Sequence, residues 1–156
     1  MEEKTSPNYR LLIVDDETTV LDILTSKLKS EGYLCDTAPN AETALAMARD
    51  GNFDLVITDL MMPGLDGFTL TEVLKTKYPT LGIIAITGMA DVDSAVRAMK
   101  IGADDYITKP FNLEHIVISV ARTLEKQRLI IENRNYQQFL EQRVREATKE
   151  QQKTLI

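Results

Sequence analysis

The stretch LVITDLMMPGLDG, Leu55 to Gly67, decides how the rest of the chain is read. It opens on four apolar or β-branched residues, Leu55, Val56, Ile57 and Thr58, and closes in turn formers, Pro63-Gly64 and Asp66-Gly67. A short apolar run bounded by turn signals predicts a strand buried on both faces, as in parallel sheets. Asp59 stands at its end, where a carboxylate adds nothing to packing. In open α/β sheets ligands bind just outside the carboxyl ends of the strands, so Asp59 falls where a ligand would sit.

Three other runs repeat the pattern. Arg10 to Val14 leads into Asp15-Asp16-Glu17, Leu81 to Ile86 into Thr87, and Asp104 to Thr108 into Lys109-Pro110. Polar residues mark strand ends in many proteins. Carboxylates, a hydroxyl and an ammonium delivered to one edge by four strands are a more specific pattern.

Between these runs the apolar period changes from 2 to 3.6. Val20, Leu21, Leu24 and Leu28 stripe a helix from about Glu17 to Glu31, stopped by Gly32. Tyr33 to Thr37 reads as a short, mixed edge strand. Asn40 is the N-cap of a second helix, which carries Ala44, Leu45, Met47 and Ala48 and stops at Gly51. A third helix, about Gly67 to Lys77, turns Leu70, Val73 and Leu74 inward, and Pro79 ends the segment. Asp91 caps a fourth, with Val92, Ala95, Val96 and Met99 as its inward stripe and Gly102 as its close. Asn112 caps a last helix that does not stop where the domain should. Strands alternating with helices at this spacing predict an α/β fold. It is a (βα)5 doubly wound, five-stranded parallel sheet with right-handed crossovers, and its C-terminal helix is extended.

Composition narrows the function classes. The chain is 44% hydrophobic and 27% charged with a net charge of −6, an ordinary globular mix. That balance argues against direct nucleic-acid binding by this piece, which needs concentrated Lys and Arg. No apolar run approaches 18 residues, so no membrane span is predicted, and MEEKTSPNYR is not a signal peptide. The single cysteine, Cys35, excludes an intramolecular disulfide, fits a reducing cytoplasm and reads as a buried, inert thiol.

Asp15-Asp16, Asp59 within DLMMPGLDG, Thr87-Gly88 and Lys109-Pro110-Phe111, in this order, resemble the CheY-like receiver domain of bacterial two-component response regulators. The resemblance covers roughly Tyr9 to Lys126 and implies the strand order 2-1-3-4-5. That order makes the first and third strands neighbours and brings Asp15, Asp16 and Asp59 together, with Thr87 and then Lys109 beside them. Three carboxylates in one cleft repel by roughly 4 kcal/mol per pair at ~4 Å, so a proton or a cation must offset them. Oxygen-only ligands of this kind suit Mg²⁺. The resemblance implies Asp16, Asp59 and the Met61 backbone carbonyl as its direct ligands, with Asp15 acting largely through a metal-bound water. It also implies the function: a phospho-accepting signalling switch, not an enzyme in its own right. Asp59 would take a phosphoryl group from a phosphohistidine of a sensor histidine kinase or phosphotransfer protein and become an acyl phosphate.

By the same resemblance Lys109 and Thr87 contact the phosphoryl group, and a cis Lys109–Pro110 bond aims Lys109 inward. Tyr106 is the family's switch aromatic, which turns inward when Thr87 moves and changes the face of helix four, strand five and helix five. Read as residues alone, Lys109 is also a solvated strand-end lysine and Tyr106 a half-buried aromatic. Met61 and Met89 flank the site in the family and tune the phosphoryl lifetime; they read equally as loop residues with incidental contacts. His115, the only histidine, reads as a surface residue.

Three other functions fit less well. An aspartyl-nucleophile phosphatase wants a second acid two residues after the nucleophile, and that position is Met61. A flavodoxin-like cofactor binder wants a hydroxyl- and glycine-rich loop where Asp15-Asp16-Glu17 stands. A degenerate receiver serving only as a scaffold would have lost its acids or its lysine, and all are present here.

The flanks complete the division: residues 1–8 as a flexible lead-in, 9–126 as the receiver and 127–156 as a helical linker. Ile130, Asn133, Gln137, Leu140, Val144 and Ala147 recur at spacings of three and four, a weak heptad seam with two polar members. If helical to about Lys149, the last helix is on the order of 55 Å long. A lone helix this polar is marginal in water. The tail therefore pairs with a second copy as a coiled coil, serves as a linker to an output domain, or frays. LIIENRNYQQFLEQRVREATKE is similar to linkers leading into HD-GYP cyclic-dinucleotide phosphodiesterases, which makes the sequence read as a piece of a longer regulator.

Overall fold

A computed structural model describes residues 9–88 and 91–155, with side chains to residue 149. The predicted lead-in, residues 1–8, and Met89 lie outside the described residues. Five strands and five helices alternate: β1 (Arg10–Val14), α1 (Thr18–Ser30), β2 (Leu34–Ala38), α2 (Ala41–Asp50), β3 (Leu55–Asp59), α3 (Gly67–Lys77), β4 (Gly82–Thr87), α4 (Val92–Lys100), β5 (Asp105–Thr108) and α5 (Leu113–Leu155). The strands form one parallel sheet in the order β2-β1-β3-β4-β5, as expected.

Alternation along the strands sorts the core onto two faces. Leu11, Ile13, Leu55, Ile57, Ile84 and Ile107 pack with Leu24 and Leu28 of α1 and Ile116, Val120 and Leu124 of α5. Leu12, Val14, Val56 and Ile83 pack with Ala41, Ala44 and Ala48 of α2 and Leu70 and Leu74 of α3. Every residue of β3 is buried, which is why its sequence is an unbroken apolar run. The predicted caps hold: Asn40 accepts from Thr43 N, Asp91 from Ser94 N, and Asn112 from Glu114 N and His115 N.

Three readings are corrected. The stripe expected to bury α4 faces outward, with Val92 74%, Val96 43% and Met99 46% exposed. The helix packs instead through Ala98, against Leu60, Phe68, Ala85 and Ala103. Small alanines let it sit close, and the branched residues on the neighbouring stripe are left in solvent. The α5 helix runs to Leu155 rather than to Lys149, 43 residues or about 64 Å. Strands β2, β4 and β5 are each shifted by one residue at one end or both, so Thr87 ends β4 rather than following it. Burial pushes the Cys35 thiol up to about 11, consistent with an inert cysteine. No helix among the described residues is long and apolar enough to cross a membrane.

Candidate functional site

Register aligns the carboxyl ends of the central strands. Val14 lies opposite Thr58, Asp59 opposite Ile86, and Thr87 opposite Thr108. Asp15, Asp59, Thr87 and Lys109 therefore emerge side by side at the edge where the sequence placed them. Asp15 and Asp59 are 2% and 6% exposed, Thr87 is fully buried, and Asp16 is exposed at the mouth. Each of Asp15, Asp16 and Asp59 offers a carboxylate oxygen, and the three atoms lie within 4.8 Å of one another.

The Lys109 ammonium reaches Asp15 Oδ2 at 3.0 Å and Asp59 Oδ2 at 2.9 Å. Its peptide bond to Pro110 is cis, and its backbone N–H donates to Thr87 O at 2.8 Å, which ties the lysine to the end of β4. The remaining carboxylate oxygens are held by backbone: Glu17 N donates to Asp15 Oδ1 at 2.8 Å and Met61 N to Asp59 Oδ1 at 2.9 Å. The loop after β3 closes this tightly because of Gly67. A Cβ there would lie 2.1 Å from Asp59 O and 2.6 Å from Leu60 Cα.

Electrostatics follow from crowding. Burial pushes the Asp15 carboxyl above its ordinary value, and the charge of Asp59 adds to this. The Glu17 N–H and Lys109 pull the other way without reversing it. Burial opposes the charge on Lys109, but its hydrogen bonds and attraction to Asp59 and Asp15 outweigh that and raise its pKa.

The other predicted residues fall as follows. Tyr106 packs half-buried against the cluster of Leu60, Phe68, Ala85 and Ala98, with Ala85 opposite it on β4. Burial, and the charge of Asp91, push its phenol up. Met61 is 58% exposed at the rim, and His115 is exposed and away from the cluster. Sequence reasoning noted Glu17 only as part of an acidic run; its carboxylate stands 3.7 Å from Lys109.

A family model for the response regulator receiver domain matches residues 11–121. The chain belongs to the receiver family. It is 37% identical over 125 residues to a putative NtrX-like response regulator of Rickettsia conorii, matching 79% of this chain and 26% of that protein. It is 36% identical over 117 residues to the transcriptional regulatory protein ResD of Bacillus subtilis, matching 75% of this chain and 48% of that one. The chain thus spans about a quarter of the length of the NtrX-like relative. Among solved structures, a CheY-like receiver domain from Methanospirillum hungatei superposes with a TM-score of 0.74 at 33% identity, covering 77% of this chain and 96% of that one. NtrX from Brucella abortus superposes with a TM-score of 0.78 at 34% identity, covering 81% of this chain and 29% of that one. Receiver domains bind Mg²⁺ at an acidic cluster and interact with histidine kinases or phosphotransfer proteins. In this receiver the acidic cluster is Asp15, Asp16 and Asp59.

Removing one partner of a buried ion pair is costly because the other charge is left uncompensated. In Lys109→Met, Asp15 and Asp59 would face each other with no cation between them. Without divalent ions, urea unfolding at pH 7 should show a loss of about 3 kcal/mol. Because the folded pKa of Asp15 already lies above its ordinary value, the penalty should be present above that pKa. It should shrink as pH falls through it. An unchanged midpoint would mean that the lysine bridge contributes nothing to the fold.

Proposed function

We propose that this receiver is switched by phosphorylation of Asp59 and passes the change, through the α4-β5-α5 face, to its C-terminal helix. The observation that carries the reading is the Lys109 ammonium held at 2.9 Å from Asp59 Oδ2 inside an oxygen-only acidic cluster. In the reaction an Asp59 oxygen forms the P–O bond while the P–N bond of a phosphohistidine breaks, leaving an acyl phosphate. Asp16, Asp59 and the Met61 carbonyl would hold Mg²⁺, with Asp15 acting through its water. The donor set fits: all oxygen, with one acid open to solvent at the mouth. When bound, the ion supplies the positive charge that draws phosphoryl oxygens into an acidic cleft. Lys109 moves from bridging carboxylates to pairing with the new phosphoryl oxygens, and Thr87 donates its hydroxyl to one of them.

Tyr106 lies half-buried against Leu60, Phe68, Ala85, Ala98 and Ala103, where α4 meets β5. The exposed Val92, Val96 and Met99 of α4 and Ile118 of α5 form an apolar surface on the face that a turn of its ring would remodel. Such a face suits partner contact better than solvent. We place the receiver boundary near Lys126. Beyond it α5 exposes Leu129, Tyr136, Phe139, Leu140 and Val144, which suits pairing with a second copy along the predicted seam. The relatives named above are longer regulators, and the tail sequence resembles linkers that lead into HD-GYP phosphodiesterases, which makes such an enzyme the candidate output domain. A receiver domain from an HD domain-containing protein of Pseudomonas fluorescens superposes with a TM-score of 0.74 at 28% identity.

A small-molecule phosphoryl donor with Mg²⁺ should add one phosphoryl mass to the chain and none to Asp59→Asn; equal labelling of both would remove Asp59 from the role. Thr87→Ala should still be labelled, but the spectral change around Tyr106 on phosphorylation should vanish. A wild-type spectrum in that variant would relieve Thr87 of the switch. Coupling between phosphorylation and tail pairing of roughly 1–3 kcal/mol would shift dimer affinity by a factor of about 5–150. Sedimentation with and without a beryllofluoride phosphate mimic should show that shift, and truncation after Lys126 should abolish it. A chain that stays monomeric throughout would reduce the tail to a passive linker.

A further inference from the structure

At the edge of the sheet opposite Asp59, one carboxylate gathers donors from three elements. Asp104 stands just before β5, its side chain 5% exposed. Its Oδ2 accepts from Ile83 N of β4 at 2.8 Å and from Lys75 Nζ of α3 at 3.3 Å. Its Oδ1 accepts from α5 alone, from Lys126 Nζ at 2.9 Å and Gln127 Nε2 at 3.3 Å. The turn that presents it requires a glycine. Gly102 sits at φ +126°, and a Cβ there would meet Lys75 Cγ at 2.6 Å. The next residue, Asp105, holds α5 one step higher, accepting from Ser119 Oγ at 2.6 Å and Arg122 at 2.8 Å. The start of β5 thus grips α5 at two levels: residues 119 and 122, then 126 and 127.

The helix root also borders a cleft through Leu124 and Gln127. The cleft has a volume of about 510 Å³ and is lined in part by Tyr9, Phe53, Tyr78, Arg128 and Ile131. Gln127 Oε1 is buried and has no hydrogen-bond partner among the described residues. From Arg128 onward nearly every residue of α5 with a described side chain is exposed. Apolar packing of Ile116, Val120 and Leu124 seats α5 on the sheet. Asp105 ties the turn that carries Ser119 and Arg122, and Asp104 ties the last turn held by the body, about one and a half helical turns further along.

We infer that Asp104 is the positioning residue that couples the receiver to its tail: it ties the last turn of α5 held by the body to the amino end of β5 and transmits displacement of the strand to it, and without that tie the turn at Lys126 and Gln127 is released from β5. This rests on the switch proposed above and adds the place where the strand's movement becomes the tail's. Asp104→Asn separates the two halves of the grip. The asparagine oxygen can still accept from Ile83 N and Lys75, while its amide nitrogen turns toward Lys126, a donor only, so the ionic tie is lost; Gln127 keeps a partner if its side-chain amide turns over so that Oε1 accepts. Lys126→Met removes the ionic tie from the helix side, at a residue exposed enough to spare the fold.

The experiment uses the 156-residue chain in wild-type, Asp104→Asn and Lys126→Met forms, each with and without beryllofluoride and Mg²⁺. Mimic affinity and the Tyr106 signal report the switch, and sedimentation reports tail pairing. Both variants should bind the mimic within about twofold of wild type and show the wild-type change at Tyr106. Their dimer affinity should lose its response to the mimic, from a factor of roughly 5–150 to about one. Variants that keep the full wild-type response overturn the assignment of Asp104. A wild-type chain whose dimer affinity ignores the mimic overturns the switch-to-tail reading itself, and this inference with it. If Asp104→Asn fails to fold, Lys126→Met decides alone.

Discussion

The constraint on which the structure depends is charge balance at the carboxyl end of a parallel sheet, where two carboxylates are buried side by side. Asp15 and Asp59 are almost completely buried at the tips of adjacent strands, and parallel pairing forces those tips together. Lys109 Nζ, within 3.0 Å of both, makes that tolerable. The surroundings follow from this requirement. The cis Lys109–Pro110 bond, the hydrogen bond from Lys109 N to Thr87 O and the backbone donors from Glu17 and Met61 all hold charges where they compensate one another. A cation-bridged carboxylate pair is also a poised acceptor: whatever replaces the bridge must bring comparable charge and oxygen geometry. A metal ion with a phosphoryl group does so, and a neutral ligand does not.

The central fold was legible because β3 is buried on both faces. Burial without alternation leaves an apolar run that only a parallel, helix-covered strand produces, and turn residues on each side mark its length. The active edge was legible for the complementary reason. Polar groups at the ends of such strands are costly to place and so stand out against the apolar background. The fourth helix was read backwards. Its branched residues form a clean stripe, but Ala98 is the residue that packs, against a cluster that already holds Phe68 and Tyr106. Periodicity identifies an apolar face, and it cannot say which of two adjacent stripes a crowded neighbour will accept.

Asp104 and Asp105 were read only as the start of a strand, since paired acids at a strand entry are unremarkable in sequence. A signal was there: Ser119, Arg122 and Lys126 share one side of the last helix at spacings of three and four, and they need an acidic partner if they are not all solvated. Pairing that stripe with the acids across from it requires the strand order, which the sequence supplies only through resemblance. The seam in the tail was equally visible and less decisive, because Asn133 and Gln137 belong to it, and polar seam positions trade stability for register.

In the proposed switch the two ends of β5 divide the work. Lys109, just past the carboxyl end, senses the charge on Asp59; Asp104 and Asp105, at the amino end, hold the long helix. Only Tyr106, Ile107 and Thr108 lie between Asp105 and Lys109, so the two ends stand close along the chain. The α5 helix then magnifies what it receives. Its body turns are anchored to the sheet, its outer half projects into solvent, and a small rotation at Lys126 becomes a displacement of many ångströms at its far end. The polar seam suits this arrangement: a tail that paired too strongly would hold its partner whatever the receiver did, and no signal would pass.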